Sequence, residues 1–270
     1  MVEKLEIPLP AVSEQRRIVE LLDQADGLRR KRAEADAIAE RILPTLFRQM
    51  FGDLTSNERS WPTHSLGMSL VEIEGGWSPN CLNRPAKPAE WGVLKLSAVT
   101  GNRYDDTENK ALPEGLNPDA DLEVKDGDLL MTRKNTRELV GAVAYVFETR
   151  PRLMLPDLIF RLRLKPTAEI APLYLWGLLS HPSKRPAVAA LAGGSAGSMP
   201  NISKGRLATL PVECPPVDLQ KRFARAAEKV HFVGKHRARS LENLESLWAT
   251  LLHHAFTGAL TARWREGRMA

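Results

Sequence analysis

The sequence predicts an α+β fold, in which a mixed α/β domain is flanked by two long antiparallel helices that pair as a coiled coil. Both ends of the chain carry an apolar stripe at heptad spacing, and one stripe repeats the other at a constant distance along the sequence. Between the stripes, apolar runs are short and are interrupted by Pro and Gly. We therefore expect a first helix within residues 1–54, a central domain at 55–212 and a second helix within 213–270.

The first helix is expected over residues 13–51. Ser13 is a residue type that caps helix N-termini, and Gly52 is typical of the position that follows a helix. Pro44 should kink the helix or break it near its end, because proline lacks a backbone donor and its ring clashes with the carbonyl group four residues earlier. The residues expected to pair from this helix are Ile18, Leu21, Leu28 and Leu46.

The second helix repeats the first after an offset of 205 residues, without a gap. In this alignment Pro10 corresponds to Pro215, and Gln15 to Gln220. A pseudo-twofold axis across the two helices would make them antiparallel. The alternative, that any two amphipathic helices share a heptad, does not account for the matching residues around the caps. The residues expected to pair from the second helix are Phe223, Val230, Leu244 and Leu251.

A charged residue recurs within the stripe. Arg32 and Arg237 occupy equivalent seam positions, beside the small residues Ala35 and Ser240. A polar seam residue costs stability but can fix the register of two helices. In an antiparallel pair these arginines would lie close together and would need either carboxylate partners or a route to solvent. The sequence leaves both options open.

The central domain is expected to mix strands with short helices. The expected strands are Gly92–Val99, Asp128–Thr132, Val140–Phe147 and Leu158–Leu164. The expected helices are Leu173–Leu179, which lies between two prolines, and Ala187–Ala192.

Composition limits the classes of protein to consider. The net charge of +5 and the isoelectric point of about 9.3 fit a polyanionic partner but are weak evidence alone. Cys81 and Cys214 are far apart, which argues against a zinc knuckle or a disulfide framework and for reduced thiols in the cytoplasm. Neither a signal peptide nor a membrane span is expected, because no apolar run is long enough.

Motifs for catalysis are weak or missing. Asp119, Glu123 and Lys125 imitate the residues of a metal-dependent nuclease, but they lie within one turn-rich stretch and are better explained as a solvated acidic loop. A methyltransferase motif and a P-loop are both lacking. The neighbours His253 and His254 point apart on a helix and do not form a metal pair. We therefore expect no catalytic residue, no cofactor and no metal.

Several short segments are distributed in order along most of the chain. They are Ile7–Pro10, Ser13–Val19, Gly127–Arg133, Val140-Gly141, Gly194-Ser195, Pro200–Ser203, Leu210-Pro211 and Pro215-Pro216. In order and spacing they resemble segments of type I restriction-modification specificity subunits. The family segments are the one that ends a target recognition domain and opens a conserved helix, one within such a domain, and the end of the domain.

The resemblance implies a non-catalytic subunit that binds double-stranded DNA and reads one half of a bipartite site. Adenine methyltransferase subunits and ATP-dependent restriction subunits, which act as translocase and endonuclease, would be its partners and would hold the cofactors. Family members usually carry two recognition domains, whereas this sequence has one. The sequence therefore resembles a half-length chain, which would pair with a second copy, or the C-terminal half of a longer subunit.

Two segments are candidates for DNA contact. Planar and cationic side chains can address base edges and phosphates, and small residues let backbone amides approach a phosphate. The alternatives are a solvated basic turn for the first segment and a structural turn for the second. Weaker candidates are Arg84, Lys87 and Lys95. The candidates of the two segments are Arg133, Lys134, Asn135 and Arg137, and then Gly194, Ser195, Asn201 and Lys204.

Three other functions remain open at this stage. The chain could be a free-standing DNA-binding regulator that dimerises through its helices, a metal-dependent nuclease, or an interaction scaffold with no DNA role.

Overall fold

In the computed structural model, residues 9–194 and 199–269 are described, without the side chains of residues 268 and 269. The chain divides into two compact units. The helical unit comprises the residues up to Ile42 together with those from Val230 onward, and the central unit is Leu43–Lys229. The central unit thus includes Leu43–Phe51 and Val217–Lys229, which the sequence placed with the terminal helices.

The chain contains both long helices and short strands, as the sequence predicted. The helices are α1 Val12–Glu40, α2 Ile42–Phe51, α3 Leu66–Ser69, α4 Ser97–Thr100, α5 Pro172–Ser180, α6 Arg185–Ala190, α7 Lys204–Ala208, α8 Val217–Thr257 and α9 Ala262–Met269. The strands are β1 Thr63–Ser65, β2 Leu70–Gly75, β3 Gly92–Leu94, β4 Asn109–Ala111, β5 Leu129–Thr132, β6 Val143–Tyr145, β7 Leu153–Met154, β8 Ile159–Leu164 and β9 Pro211–Glu213. No helix in the described ranges is both long and apolar enough to cross a membrane.

The helices of the helical unit run antiparallel. Arg29 donates two hydrogen bonds of 3.0 Å to Glu245, and Glu14 contacts Thr261 at 2.5 Å. Residue numbers therefore rise along α1 while they fall along its partner. Asp36 accepts hydrogen bonds from both Arg32 and Arg237, so the recurring seam arginines share a carboxylate.

The residues expected to pair between the helices lie in different surroundings. Leu28 is 55% exposed. Leu46 and Phe223 belong to the core of the central unit, with Phe223 fully buried and Leu46 packed against that core. The half-buried members of the set are Ile18, Leu21, Val230, Leu244 and Leu251.

Pro44 breaks the first helix, as predicted. α1 ends at Glu40 and α2 begins at Ile42. The interruption therefore follows Glu40, whose carbonyl group is the one four residues before Pro44 with which the proline ring would clash. The residue 205 positions later is Ala249, and α8 continues through it unbroken. Gly52 ends α2 with a φ of 81°, the left-handed conformation that glycine adopts without strain.

The expected Ser13 cap is wrong. Ala11 occupies the cap position of α1, and no side chain caps it. Instead, the Gln15 side chain donates to the carbonyl oxygen of Pro10 at 2.8 Å, and Gln220 donates in the same way to Pro215 at 2.7 Å. The repeat is therefore present in three dimensions as well as in the sequence, because both helices begin with the same side-chain hydrogen bond at the same offset.

The central unit contains two main sheets. Antiparallel strands form the first sheet in the order β2-β8-β5-β6. The second has the order β4-β3-β7, with β3 and β7 parallel, and β1 pairs with β9 separately. The expected strand Gly92–Val99 is too long: it ends at Leu94, and Ser97–Thr100 is helical. Short apolar runs fit either structure, so periodicity could not separate them.

The main core of the central unit gathers aromatic rings from both ends of its sequence. The rings of Phe47 and Tyr174 stack with centroids 5.6 Å apart, and Phe223 meets Phe47 edge-on at 5.1 Å. Phe51 also packs on Tyr174, at 4.8 Å. Burial of such rings is a large source of stability, so α2 and the first turns of α8 are integral to this unit.

Candidate nucleic-acid interface

A cleft of about 500 Å³ opens in the central unit. It is formed by segments that are well separated in the sequence and include parts of both predicted DNA-contact segments. Its lining residues are Arg133, Lys134, Asp157, Leu158, Gly193, Gly194, Met199, Asn201, Ser203 and Arg206.

The first side of the cleft begins where β5 ends. The backbone N–H of Arg133 donates to the carbonyl oxygen of Leu158 at 2.8 Å, which extends the pairing of β5 with β8 by one residue. The carbonyl oxygen of Arg133 accepts from the N–H of Ile202 at 2.9 Å. The two segments predicted to contact DNA are therefore joined by main-chain hydrogen bonds, which fix the spacing of the side chains that they carry.

Asn201 holds the second side. Its N–H and carbonyl group both bond to Gly193, with each distance 2.9 Å, and it also forms a bridge to Lys134. Its side-chain oxygen accepts a hydrogen bond from Nε of Arg133 at 3.1 Å. Asn201 thus connects its own segment to the segment of Gly193 and to the segment of Arg133 and Lys134.

The guanidinium group of Arg133 is held in place from two directions. Nε donates to Asn201, and the group lies over the ring of Phe160, 5.6 Å from its centroid. Within the described part of the chain, its terminal nitrogens make no hydrogen bond. Preorganised in this way, the guanidinium loses little side-chain entropy when it binds a planar acceptor.

The charge of the cleft is mainly positive. Arg133, Lys134 and Arg206 line it, and Asp157 is its one acidic lining residue among those described. Arg206 was not among the predicted site residues. It lies on α7, which is capped by Ser203, and it contacts the carbonyl oxygen of Leu191 at 3.4 Å. No sequence signal distinguished it from other exposed arginines.

The remaining predicted residues lie near the cleft or are used elsewhere. Arg137 and Lys204 are exposed on the two segments but do not line the cleft. Asn135 is 7% exposed, accepts from the N–H of Thr136 at 2.9 Å and contacts Thr100 at 3.4 Å. Its amide therefore holds the turn. Ser195 lies outside the described residues.

The weaker candidates are engaged with carboxylates. Arg84 forms an ion pair with Glu90 at 2.6 Å, and Lys95 with Glu108 at 3.3 Å. The backbone N–H of Lys87 also donates to Glu90, at 2.8 Å. Their ion pairs satisfy Arg84 and Lys95 within the protein.

The three residues that imitate a nuclease site, Asp119, Glu123 and Lys125, form contacts within the fold. Asp119 accepts from the N–H of Asp121 at 3.1 Å and caps a 3-10 turn. Glu123 accepts from the N–H of Arg152 at 2.6 Å, and the N–H of Lys125 donates to Asp128 at 2.9 Å. Throughout residues 9–194 and 199–269, no group of three His, Cys, Asp or Glu side chains could hold a metal ion.

The cysteines are free thiols. Burial raises the pKa of the Cys214 thiol to about 11, with a further contribution from Glu213. Its Sγ lies 3.1 Å from Nδ1 of His64, but the thiol stays protonated at neutral pH. Cys214 therefore lacks the thiolate that a nucleophile needs.

The comparisons with known proteins agree with this architecture. No family model matches the chain. The chain is 34% identical over 169 residues to the specificity subunit of the type I restriction enzyme EcoEI from Escherichia coli, covering 62% of this chain and 28% of that protein. It is 29% identical over 283 aligned positions to the EcoKI specificity subunit from Escherichia coli strain K12, covering 97% of this chain and 59% of that protein. The chain is thus similar in sequence to type I restriction specificity subunits.

A solved specificity subunit has the same fold. The S subunit of a type I restriction-modification system from M. genitalium superposes with a TM-score of 0.58 at 13% identity, over 91% of this chain and 61% of the other. The two sequence comparisons confirm the resemblance to specificity subunits that the sequence indicated. The chain spans from about a quarter to three fifths of the length of the curated relatives.

Proposed function

We propose that the central unit reads one half of a bipartite DNA sequence through the cleft. The observation that carries this proposal is the meeting of two segments distant in sequence, which together with Arg206 of α7 bring three cations and an amide to one concave surface. Interfaces for DNA combine such cations with planar groups. The similarity to restriction specificity subunits supports the same conclusion.

Each residue of the cleft has a proposed contact. Arg133 donates to O6 and N7 of a guanine in the major groove, which a planar guanidinium can address with two hydrogen bonds. Lys134 and Arg206 bind phosphates or base edges, and Arg137 and Lys204 bind phosphates at the rim. Gly194 allows the backbone to approach the DNA closely. Asn201 positions Arg133.

We propose that the helical unit is the scaffold of an assembly. It docks adenine methyltransferase subunits and, with them, ATP-dependent restriction subunits, and it sets the distance to a second half-site read by another copy of the chain. These partners supply the chemistry and the cofactors, and the chain itself catalyses no reaction. It acts in the cytoplasm, where its DNA and its partners would be found.

DNA binding by the full chain at several salt concentrations tests the central unit. Arg133→Ala should weaken binding to the specific duplex about tenfold or more, because it removes a contact to a base. Lys204→Ala should weaken binding to all duplexes and lower the salt dependence by about one counterion. Arg163→Ala, an exposed arginine outside the cleft, is the matched control.

Two results would contradict the proposal. Unchanged DNA affinity in Arg133→Ala would remove the cleft from the DNA interface and favour a scaffold. Failure of the chain to co-purify with an adenine methyltransferase, while it still bound DNA, would instead indicate a free-standing regulator.

A further inference from the structure

An acidic residue stands among the cations of the cleft. Asp157 is exposed and lines the cleft together with Arg133, Lys134 and Arg206. Within the described ranges, it forms no ion pair with any of these three cations. Its carboxylate instead accepts a hydrogen bond from the hydroxyl group of Ser78, and its N–H donates to the same hydroxyl oxygen at 3.1 Å. Ser78 thus fixes one carboxylate oxygen of Asp157, and the other carboxylate oxygen has no described partner.

A carboxylate at this position opposes simple phosphate binding. Two negative charges repel each other, and a carboxylate group can accept hydrogen bonds but not donate them. A surface that served only to attract the DNA backbone would be better without it. The geometry therefore indicates a ligand group that donates hydrogen bonds.

The edges of the bases differ in what they offer such a group. In the major groove, guanine presents two acceptors and thymine an acceptor with a methyl group, so both are disfavoured beside a carboxylate. Adenine presents a donor next to an acceptor, which suits an amide side chain better. Cytosine presents its N4 amino group, a donor that carboxylates accept from.

We propose that Asp157 is a specificity-determining residue that selects a cytosine in the half-site. Asp157 accepts a hydrogen bond from N4 of the cytosine, while Arg133 donates to O6 and N7 of a guanine, so that the cleft reads a C·G base pair with one acceptor and one donor. Ser78 is the positioning residue for Asp157. This inference rests on the proposed function of the cleft and goes beyond it by naming the base.

Selection from a randomised duplex library by the purified full chain tests the inference. The wild-type chain should enrich a motif with a fixed C·G pair. Asp157→Asn should lower the preference for that pair about tenfold, because an amide both donates and accepts, and should leave the rest of the motif unchanged. An asparagine can still accept from Ser78, so the thermal midpoint should stay the same. Glu114→Gln, an exposed carboxylate outside the cleft, is the control.

The outcomes separate the inference from the function on which it rests. If the wild-type chain enriches no motif, the proposed function is overturned. If Asp157→Asn enriches the same C·G pair as strongly as the wild type, the inference fails and the function stands. Loss of the whole motif in a folded Asp157→Asn chain would also overturn the inference, because Asp157 would then organise the cleft instead of selecting one base.

Discussion

Arg161 is an almost completely buried cation, with 2% of its side chain exposed. It pairs with Glu74 at 2.7 Å and with Asp128 at 3.0 Å, and it donates to the carbonyl oxygens of Glu123 and Asp121, both at 2.8 Å. The acidic stretch that imitates a nuclease is thus attached to β8 by a buried guanidinium. The stretch contacts Arg161 through backbone carbonyl groups, and the carboxylates that neutralise the guanidinium are those of Glu74 and Asp128.

Removal of this cation should destabilise the central unit. Arg161→Met leaves Glu74 and Asp128 without their buried partner, so the free energy of unfolding should fall by about 3–5 kcal/mol. Arg163 also contacts Glu74, at 2.8 Å, but 46% of its side chain is exposed. Arg163→Met should therefore cost less than about 1 kcal/mol. Urea unfolding of the two variants measures the difference, and equal losses would refute this account of the network.

Glu74 should make the stability depend on acid. Burial opposes its ionisation, but hydrogen bonds from Arg161 and Arg163 outweigh burial and hold the pKa of Glu74 below its ordinary value of 4.5. A lowered pKa means that this stabilisation is present above the pKa of the unfolded chain and is lost as the pH falls through the folded value.

The corresponding variant is Glu74→Gln. It should be less stable than the wild type at pH 7, and its stability should fall less between pH 5 and pH 3. Glu72→Gln, on the same strand but exposed, should leave the pH profile of the wild type unchanged. Parallel acid limbs for the wild type and Glu74→Gln, measured by urea unfolding at each pH, would exclude this linkage.

The glutamine that recurs at the start of α1 and of α8 has different surroundings in its two copies. Gln220 is fully buried, and besides Pro215 it bonds to the carbonyl oxygen of Glu169 and the N–H of Ala171, both at 2.8 Å. Gln15 is exposed, and the one described hydrogen bond of its side chain is to Pro10. The second copy therefore joins α8 to the loop before α5, whereas the first copy joins α1 only to Pro10, just before the helix.

The two glutamines provide a matched pair of variants. Gln220→Ala should lower the free energy of unfolding by about 2–3 kcal/mol, because it leaves buried backbone groups without partners. Gln15→Ala should change it by less than about 0.5 kcal/mol. Thermal or urea unfolding of both chains gives the comparison. A loss for Gln15→Ala as large as that for Gln220→Ala would show that the helix start itself, and not the buried contacts, is responsible.

The sequence predicted the elements whose signals are local. The heptad stripes, the break at Pro44 and the end at Gly52 follow from backbone chemistry that a single segment carries. The strand that begins at Gly92 was predicted too long, because its apolar residues continue into α4. Leu46 and Phe223 follow the heptad but pack in the central core, since periodicity shows that a face is buried and not what buries it.

The lining of the cleft could be predicted only in part, because it is formed by contacts between segments that are distant in the sequence. Two basic or small-residue segments can be recognised in the sequence, but their meeting depends on the pairing of Arg133 with Ile202 and of Gly193 with Asn201. Asn135 had the right chemistry for a base, yet the fold turns its amide inward. Arg206 is added to the cleft by α7, a short helix without a distinctive pattern.

The pairing of the helices in the helical unit depends on the carboxylate of Asp36, which two arginines share. Asp36 contacts Arg32 at 3.0 Å and also accepts from Arg237. Burial opposes its ionisation, but these hydrogen bonds outweigh burial and lower the pKa of Asp36. The repeat thus places two like charges together near its pseudo-twofold axis, and one acidic residue on α1 balances them.

Asp36→Ala should loosen the helix pair. Two arginines would then face each other without a carboxylate, and the stability should fall by about 1 kcal/mol, with a lower thermal midpoint. The double variant Asp36→Ala with Arg237→Met should recover most of the loss, because the repulsion is removed. Circular dichroism at 222 nm follows the transition. A double variant less stable than Asp36→Ala would show that Arg237 contributes packing and not charge.

We propose that this chain chooses the DNA sequence on which partner subunits act. Sequencing of methylated adenines in the genome of cells with and without the chain tests it most directly. We expect a bipartite motif, symmetric if two copies read it, that carries methylated adenine when the chain is present and loses it when the chain is deleted. A methylation pattern that stays the same after deletion would contradict the claim.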